Sequence, residues 1–477
     1  MVSSTSDSNS DERAFTLSDQ DRFAALSGDC NPLHLDLSVA RRSMLGGVAV
    51  HGIHLVLWAL DVLAARFSFS GIAQLRVNFD RGVMVGEKVH CTWTSEGNRW
   101  TGRIAGDHGT LVRLGVVAMT IPPGVWTGAT HAPSTVCVDR EIEELIDLAG
   151  DLELSLPEPW REMFPHLAAT VVPAMVAFLL ASTRLVGMVC PGRHSIYSAL
   201  RLDWVAPQDP AGLHPSRLHY KVVRADARVR VVDLAVEAGP MRGTINTLVR
   251  PKPFAQPRLA EILSKVTPFS FSRQRALVIG GSRGLGELAA KLLVAGGARV
   301  TLTWCHGEAD AQALLDEAQS LGVGFEALRF DAMAPPDAAP LPSQRYTHLY
   351  YFATPHIAHG DPGKFNPAIF TKYLASYVEG FARTVRWFQA RAENDAWVWY
   401  PSTAFLDDTN PAFAEYCAAK ACGEVLCRQL ALQLAPMKFV APRLPRLPTD
   451  QTQALTASPL GDGAEILLSA LRFLTTA

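Results

Sequence analysis

The chain has 477 residues, a length that predicts about two to four domains rather than one. Its formal net charge of −2, with acidic and basic residues interspersed, excludes nucleic-acid binding through bulk positive charge. The eight cysteines are scattered without a CxxC pair, which predicts reduced thiols and a cytoplasmic location rather than a disulfide framework or a metal cluster.

The amino-terminal part begins with a polar, acidic stretch, residues 1–13, which predicts a disordered tail and lacks the apolar core of a secretory signal. Residues 46–67 are apolar on nearly every side and predict a buried helix. Alternating apolar and polar residues follow at 72–79, 87–97, 99–106 and 110–121. These stretches predict an antiparallel sheet with one solvated face. We therefore expect residues 14–125 to form the first half of a larger domain.

The same order recurs in residues 126–252, which suggests a repeat of about 125 residues. Residues 171–190 predict a second buried helix rather than a membrane span, because Pro173 and Arg184 interrupt the apolar run. Further alternating stretches follow at 195–207, 216–239 and 241–251. This half lacks a counterpart of the polar cluster found in residues 27–36, so we expect it to be non-catalytic.

The carboxyl-terminal part has a different pattern of apolar residues, in which strand-like and helix-like stretches alternate. Residues 253–272 are punctuated by proline and predict a linker. Residues 275–304 read as a strand, a glycine-rich turn, a helix and a second strand. Short apolar stretches recur at 325–332, 348–355, 396–403 and 438–444. Strands that alternate with helices predict a parallel, doubly wound sheet over residues 273–477.

The segment SGDCNPLHLD, residues 27–36, gathers Asp29, Asn31 and His34 shortly before the first apolar helix. Together with Gly52 in VAVHGIH, it resembles the MaoC-like, (R)-specific enoyl hydratases of the hot-dog superfamily in their double hot-dog form. The resemblance implies that Asp29 and His34 hold a water molecule and act as acid and base. It also implies that Asn31 orients the water or the carboxylate, and that the backbone N–H of Gly52 meets an enolate oxygen. A turn without function is the alternative interpretation of the segment.

The turn IGGSRGLG, residues 279–286, follows a predicted strand and opens a predicted helix, as a phosphate-binding turn must. It resembles the TGxxxGxG motif of the short-chain dehydrogenases/reductases, except that Ile279 replaces the threonine. The resemblance implies a nicotinamide cofactor held by the turn and by an aspartate near the adenine. The cofactor-binding residues that it implies are Gly280, Ser282, Arg283, Gly284, Leu285, Gly286, Asp331, Tyr416 and Lys420.

Tyr416 and Lys420 form a Tyr-x-x-x-Lys pair on one helix face, with Ser402 upstream. In the reductase family such a tyrosine exchanges a proton with the substrate, the lysine lowers the pKa of the tyrosine, and the serine steadies the carbonyl. Thr403 is a rival for the role of Ser402, because the spacing from Ser402 to the tyrosine is slightly loose. Tyr377 stands where that family has an asparagine that supports a proton relay.

The end of the second strand of this domain indicates which cofactor is preferred. A site that prefers NAD normally has an acid there to bind the ribose hydroxyls. Residues 301–307, TLTWCHG, contain no acid, and Arg283 lies in the glycine turn. We therefore expect NADPH, with NADH as the alternative and with Arg283 as an ordinary surface residue in that case.

Together these patterns predict an α+β double hot-dog followed by an α/β Rossmann-type domain with a doubly wound parallel sheet. The two resemblances imply a bifunctional enzyme. It would reduce 3-oxoacyl thioesters to (R)-3-hydroxyacyl thioesters with NADPH and dehydrate them to trans-2-enoyl thioesters, or catalyse the reverse pair. The implied partners are acyl-CoA or acyl-carrier-protein thioesters and a second copy of the chain, without nucleic acid or membrane insertion. A reductase for a substrate such as a nucleotide sugar with an independent hydratase, or an inert acyl-binding scaffold, are the alternatives.

Overall fold

The computed structural model describes residues 11–67, 69, 71–107, 109–120, 126–205, 215–335, 343–357, 364–408, 411–455 and 460–472. It divides into two compact units, one of residues 1–252 with 454–457 and one of residues 253–453 with 458–477. Of the predicted disordered tail, residues 1–10 lie outside the described residues. Residues 11–13 belong to a strand instead, because they pair in register with residues 89–91.

The first unit begins with β1 (Asp11–Ala14), α1 (Leu17–Ser27), α2 (Pro32–Leu35), α3 (Leu37–Ala40), α4 (Gly52–Arg66), β2 (Gly71–Phe79), β3 (Lys88–Glu96), β4 (Arg99–Gly106) and β5 (Gly109–Met119). It continues with β6 (Ala149–Glu153), α5 (Trp160–Met163), α6 (Pro165–Thr170), α7 (Pro173–Arg184), β7 (Ser195–Trp204), β8 (Arg217–Asp226), β9 (Val231–Ala238) and β10 (Met241–Val249). A π-helical turn, Leu185–Val189, extends α7.

These strands form one ten-stranded sheet in the order β1-β3-β4-β5-β2-β7-β10-β9-β8-β6. Counted outward from the centre, the halves follow the same order, so the repeat inferred from the sequence is present in the topology. The halves meet where β2 and β7 pair antiparallel, with Val77 opposite Leu200. The apolar helices α4 and α7 belong to the same buried core. The sheet places the carboxyl-terminal end of α7 close to the segment that follows α1.

The predicted helix at residues 46–67 is shorter in the structure, because α4 begins only at Gly52. Residues 48–50 instead run extended and exchange backbone hydrogen bonds with residues 83–85. The strand β6 was not predicted, since AGDLE contains few apolar residues; its pairing with β8 defines it. Among the described residues, no helix is both long enough and apolar enough to cross a bilayer.

The second unit contains α8 (Leu259–Lys265), β11 (Arg275–Ile279), α9 (Gly284–Ala295), β12 (Arg299–Trp304), α10 (Glu308–Ser320), β13 (Phe325–Arg329), β14 (Tyr346–Tyr351), α11 (Pro367–Leu374), α12 (Phe381–Gln389), β15 (Ala392–Trp399), β16 (Ser402–Thr403), α13 (Ala414–Gln433), β17 (Lys438–Val440), β18 (Arg443–Leu444) and α14 (Gly463–Arg472). A π-helical stretch, Ala375–Gly380, joins α11 to α12.

Six strands of this unit form a parallel sheet in the order β13-β12-β11-β14-β15-β17. This is the 3-2-1-4-5-6 order of a Rossmann fold, whose strand order reverses between β11 and β14. The predicted linker at residues 253–272 differs in the structure. It contains α8, whose Leu259 and Ile262 are fully buried in the core of this unit. Here the burial of apolar residues at helical spacing produces a helix, although the neighbouring prolines predict a linker.

Candidate functional site

The first candidate site is built on the irregular segment between α1 and α2. Gly28 ends α1 in the left-handed conformation (φ 74°), which turns the chain so that Asp29 enters the protein interior. Asp29 is only 1% exposed. The side chain of Asn31 then caps α2 by accepting the backbone N–H of Leu33 at 3.0 Å. A glycine end cap, a buried acid and a helix cap thus follow each other within four residues.

The carboxylate of Asp29 is held by residues from both halves of the first unit. Its Oδ1 accepts the backbone N–H of Asn31 at 3.3 Å, and its Oδ2 accepts the hydroxyl of Thr183 at 2.7 Å. Gly187 lies directly against it, because a Cβ there would be 2.2 Å from Asp29 Oδ1. The second half, which we expected to be non-catalytic, therefore supplies part of the environment of the acid. In the sequence, nothing near residues 27–36 points to Thr183 or Gly187.

The side-chain amide of Asn31 has partners other than the Asp29 carboxylate. Its amide group donates to the backbone carbonyls of Gly187, at 2.8 Å, and Arg193, at 3.2 Å. The amide oxygen is used by the cap of α2. The backbone of Asn31, and not its side chain, orients the carboxylate, while the side chain joins the two halves of the unit.

His34 faces Asp29 with a defined tautomer. Its Nδ1 donates to the backbone carbonyl of Ala49 at 2.8 Å, which leaves Nε2 with a free lone pair. The ring stacks on that of His51, with 3.9 Å between the centroids. One side-chain nitrogen or oxygen atom of each of Asp29, His34 and His51 lies within 4.8 Å of the other two, so the carboxylate and the imidazole belong to one polar cluster.

Burial drives the protonation of this pair towards the neutral forms. Loss of solvation raises the pKa of Asp29, against the lowering effects of His34, Thr183 and the backbone of Asn31. Loss of solvation lowers the pKa of His34, which Asp29 and the carbonyl of Ala49 counteract. Burial therefore favours the protonated carboxyl of Asp29 and the neutral imidazole of His34.

The start of α4 lies beside this pair. His51, whose ring nitrogens face Gln20 Oε1 at 2.9 Å and the carbonyl of Asp29 at 3.0 Å, immediately precedes Gly52. Gly52 begins the helix, so its N–H has no partner inside the helix. A Cβ on Gly52 would meet the ring of Phe79 at 2.9 Å, so a larger residue cannot fit.

The second candidate site lies at the carboxyl end of the parallel sheet. Gly280 and Gly284 have φ of 71° and 60°, values that favour glycine. A Cβ on Gly286 would be 2.1 Å from the carbonyl oxygen of Gly280, so the turn closes only with glycine there. The N–H of Gly280 donates to Thr303 Oγ1 at 3.0 Å, which fixes the turn to β12. The sequence-predicted Ser282 is buried, and Leu285 packs partly buried against the core of this unit.

This turn fits a dinucleotide. The chain passes from β11 through a tight glycine turn into α9, whose first N–H groups point out of the helix and can bind a phosphate. The sequence-predicted Asp331 follows β13 at the same sheet edge; its carboxylate is exposed and accepts the N–H of Met333 at 2.9 Å. Arg283, in contrast, forms an ion pair with the buried Asp450 at 3.8 Å.

Tyr416 and Lys420 lie one helical turn apart on α13, as predicted, but Ser402 does not join them. Ser402 donates its hydroxyl to Glu424 at 2.5 Å, and Thr403 makes the hydrogen bond with Tyr416. Adjacent residues of a strand point to opposite sides, so one residue of register decides which hydroxyl meets the tyrosine. The rival, Thr403, is therefore the residue that the structure brings to Tyr416.

Lys420 is buried among tyrosine rings. Its ammonium donates to the carbonyl of Pro401 at 2.7 Å and lies 4.0 Å from the ring centroid of Tyr377 and 4.9 Å from that of Tyr400. Burial lowers the pKa of Lys420 to about 7. Burial also raises the pKa of Tyr416 to about 12, with the Thr403 hydrogen bond acting in the opposite direction. The ammonium of Lys420 lies closer to the ring of Tyr377 than to that of Tyr416, whose centroid is 5.9 Å away.

The chain is similar to one protein family over part of its length and to several solved structures. The family model described as MaoC like domain matches residues 5–113, and no curated protein matches the sequence. Similar solved structures include a dehydrogenase/reductase from Sinorhizobium meliloti 1021 (22% identity, 45% of this chain and 91% of that chain, TM-score 0.37). Others are a short chain dehydrogenase from Burkholderia cenocepacia J2315 in complex with NADP (19%, 43% and 91%, TM-score 0.37) and a short-chain dehydrogenase/reductase from Serratia marcescens BCRC 10948 (18%, 43% and 91%, TM-score 0.38). A segment of the first unit, residues 5–113, is therefore similar to the MaoC like domain.

Proposed function

We propose that the chain is a bifunctional dehydratase and reductase of acyl thioesters. In this proposal the first unit is a double hot-dog that dehydrates (R)-3-hydroxyacyl thioesters to trans-2-enoyl thioesters. The second unit is a short-chain dehydrogenase/reductase that makes the 3-hydroxyacyl thioester from a 3-oxoacyl thioester. The observation that carries the first half is the pairing of the buried Asp29 with the half-buried His34. The two side chains have an oxygen and a nitrogen atom within 4.8 Å of each other, inside the segment that matches the MaoC like domain.

In the dehydration step, neutral His34 takes the proton from the α-carbon through Nε2, since its Nδ1 is committed to Ala49. Protonated Asp29 gives its proton to the departing 3-hydroxyl group, which leaves as water. The C–H and C–O bonds break and the double bond forms, so the atoms balance. Hydration is the reverse, with Asp29 as the base towards water. The raised pKa of Asp29 and the lowered pKa of His34 support these roles.

The thioester oxygen gains negative charge while the α-proton is removed. The N–H of Gly52, at the positive end of α4, is our candidate donor to that oxygen. The absence of a side chain at Gly52 supports close approach, as Phe79 already occupies the space where a Cβ would lie. We assign no catalytic contact to the side chain of Asn31, whose amide nitrogen donates to the second half and whose amide oxygen accepts from Leu33.

In the reduction step, the glycine turn would hold NADPH, which would supply the hydride for the carbonyl carbon. The Tyr416 hydroxyl donates a proton to the carbonyl oxygen, and Thr403 holds that oxygen or the tyrosine in place. The high pKa of Tyr416 keeps its proton until the oxygen becomes an alkoxide. The ammonium of Lys420, 5.9 Å from the Tyr416 ring, stabilises the tyrosinate that results.

The two reactions share one intermediate, the 3-hydroxyacyl thioester, which supports their occurrence on one chain. We further propose that the acyl group is carried by coenzyme A or by an acyl carrier protein, and that the chain forms a homo-oligomer. A substrate without a carbonyl group beside the α-carbon would leave the dehydratase pair without an acidic α-proton.

The test is to incubate the full chain with a 3-oxoacyl thioester and NADPH and to analyse the products by mass spectrometry. We expect successive formation of the 3-hydroxyacyl and the 2-enoyl thioester. Asp29→Asn should stop the reaction at the 3-hydroxyacyl product, and Tyr416→Phe should stop NADPH oxidation while leaving hydration of added enoyl thioester intact. Enoyl hydration that survives in Asp29→Asn, or reduction that survives in Tyr416→Phe, would contradict the assigned roles.

A further inference from the structure

We propose that Arg329, and not Arg283, recognises the 2′-phosphate of NADPH, with Trp304 as the surface against which the guanidinium lies. The proposal rests on the reductase half of the proposed function and names the residue that selects its cofactor. It assigns a role to a residue of β13 that no motif in the sequence indicates.

The first step concerns position. Trp304 is the last residue of β12, where an NAD-preferring site would carry an acid for the ribose hydroxyls. Arg329 is the last residue of β13 and stands directly opposite Trp304 in the parallel ladder. The guanidinium carbon lies 5.8 Å from the Trp304 ring centroid, within cation–π range. Both residues therefore occupy the edge at which the adenosine ribose of a dinucleotide is bound.

The second step concerns charge. The Arg329 side chain is exposed and has no ion pair or hydrogen bond within the described parts of the chain, apart from its contact with Trp304. Arg283 is instead paired with the carboxylate of Asp450 at 3.8 Å. An anion that approaches this edge meets an available guanidinium at Arg329, whereas at Arg283 it must compete with a buried acid.

The third step concerns the neighbours. Asp331 lies two residues further along the chain, and the charges of Asp331 and Arg329 both act on the Cys305 thiol. The Asp331 carboxylate accepts the N–H of Met333, and among the described residues no ion pair joins it to Arg329. Asp331 can therefore meet the adenine amino group while Arg329 meets the phosphate.

The chemistry of the ligand matches this arrangement. A 2′-phosphate carries up to two negative charges and accepts a bidentate contact from a planar guanidinium. Lysine presents a point charge and cannot form that pair. NADH has hydroxyl groups at the same place, so a change at Arg329 should affect NADPH binding and leave NADH binding nearly unchanged.

The experiment is to titrate the full chain with NADPH and with NADH by calorimetry, for wild type, Arg329→Ala, Arg329→Lys and Arg283→Ala. A lost charge-assisted contact costs roughly 10- to 100-fold in affinity. We expect that loss for NADPH in Arg329→Ala, a smaller one in Arg329→Lys, and less than about threefold for NADH. Arg283→Ala should change the ratio of the two affinities by less than about threefold. Thermal unfolding of each variant checks that the fold persists.

The outcomes separate the two proposals. If wild type binds neither nucleotide, the reductase half of the proposed function fails, and the assignment of Arg329 fails with it. If wild type prefers NADPH but Arg329→Ala keeps that preference, or only Arg283→Ala abolishes it, the assignment of Arg329 is wrong while the reductase proposal stands. Adenosine 2′-phosphate that binds wild type but not Arg329→Ala supports the assignment without any catalytic measurement.

Discussion

The hydroxyl of Thr183 donates to the carboxylate of Asp29 at 2.7 Å, although 154 residues separate them along the chain. The proposed catalytic acid thus belongs to one half of the first unit and its donor to the other. Gly187, in the π-helical turn that follows α7, allows the carboxylate to lie against the backbone there. The half without an Asp/His pair is therefore needed to hold the pair in the other half.

We expect Thr183→Val to impair enoyl hydration and to shift its pH dependence. The Thr183 hydrogen bond lowers the pKa of Asp29, against the larger raising effect of burial. Removal of this hydrogen bond raises the pKa of Asp29 further. As the pH falls, Asp29 of the variant is therefore protonated at a higher pH than in wild type, and the carboxylate that hydration needs is lost earlier. Because a hydrogen bond to a charged group contributes about 1.5–3 kcal/mol, the acid limb of kcat/KM should move up by about one to two pH units. Thr183→Ser, which keeps the hydroxyl, should retain the wild-type limb.

We expect Gly187→Ala to displace the carboxylate of Asp29. A Cβ there would lie 2.2 Å from Oδ1, and the helix backbone cannot withdraw without disturbing its packing. Overpacking of this kind typically costs about 1–3 kcal/mol of folding free energy, and hydratase activity should fall more than tenfold. Gly115→Ala is the matched control, since a Cβ on Gly115 meets nothing closer than 3.7 Å. Equal losses in the two variants would show that Gly187 has no special relation to Asp29.

The architecture of both units could be predicted from the sequence because it depends on local periodicity. Alternating stretches gave the strands β2 to β5, and the succession of strands and helices after residue 273 gave the parallel sheet. The strand β6 was missed because its identity depends on pairing with β8, which local pattern does not encode. The helix α8 was missed because the prolines around it predict a linker, although its apolar face is buried.

The candidate sites could be predicted only as far as their residues are close in sequence. Asp29 and His34 lie on one short segment, and a single motif reveals both. Thr183 reaches the same site from a distant helix whose apolar neighbours make one threonine unremarkable. Whether Ser402 or Thr403 meets the tyrosine depends on which side of a two-residue strand each hydroxyl faces. The spacing in the sequence is compatible with either residue.

We expect the reductase reaction to weaken as the pH rises through neutrality. Burial lowers the pKa of Lys420 to about 7, and the groups that face it are Tyr377, Tyr400, Tyr416 and the Cys427 thiol. Below that pKa the ammonium can stabilise the developing tyrosinate, and above it the charge is lost. The value of kcat/KM for NADPH should therefore fall with a midpoint near pH 7, because this parameter reports on the free enzyme.

Lys420→Arg provides the control for that pH dependence. A guanidinium stays charged throughout, so whatever activity remains in this variant should lack the fall near neutrality. A wild-type profile that is flat up to about pH 9, or a fall that persists unchanged in Lys420→Arg, would show that another group causes the titration.

We expect Thr403→Ala to lower the kcat of reduction by about 100-fold, because it removes the hydroxyl that pairs with Tyr416. Ser402→Ala is its matched partner, one residue away. Its hydroxyl donates to Glu424, which also forms an ion pair with Arg443 at 2.8 Å, so this change should lower the melting temperature and leave kcat within about threefold. The measurement is kcat and thermal unfolding for both variants side by side. A larger loss of kcat in Ser402→Ala than in Thr403→Ala would mean that the strand Ser402–Thr403 presents its other face to the substrate during turnover, and the assignment of Thr403 would then be wrong.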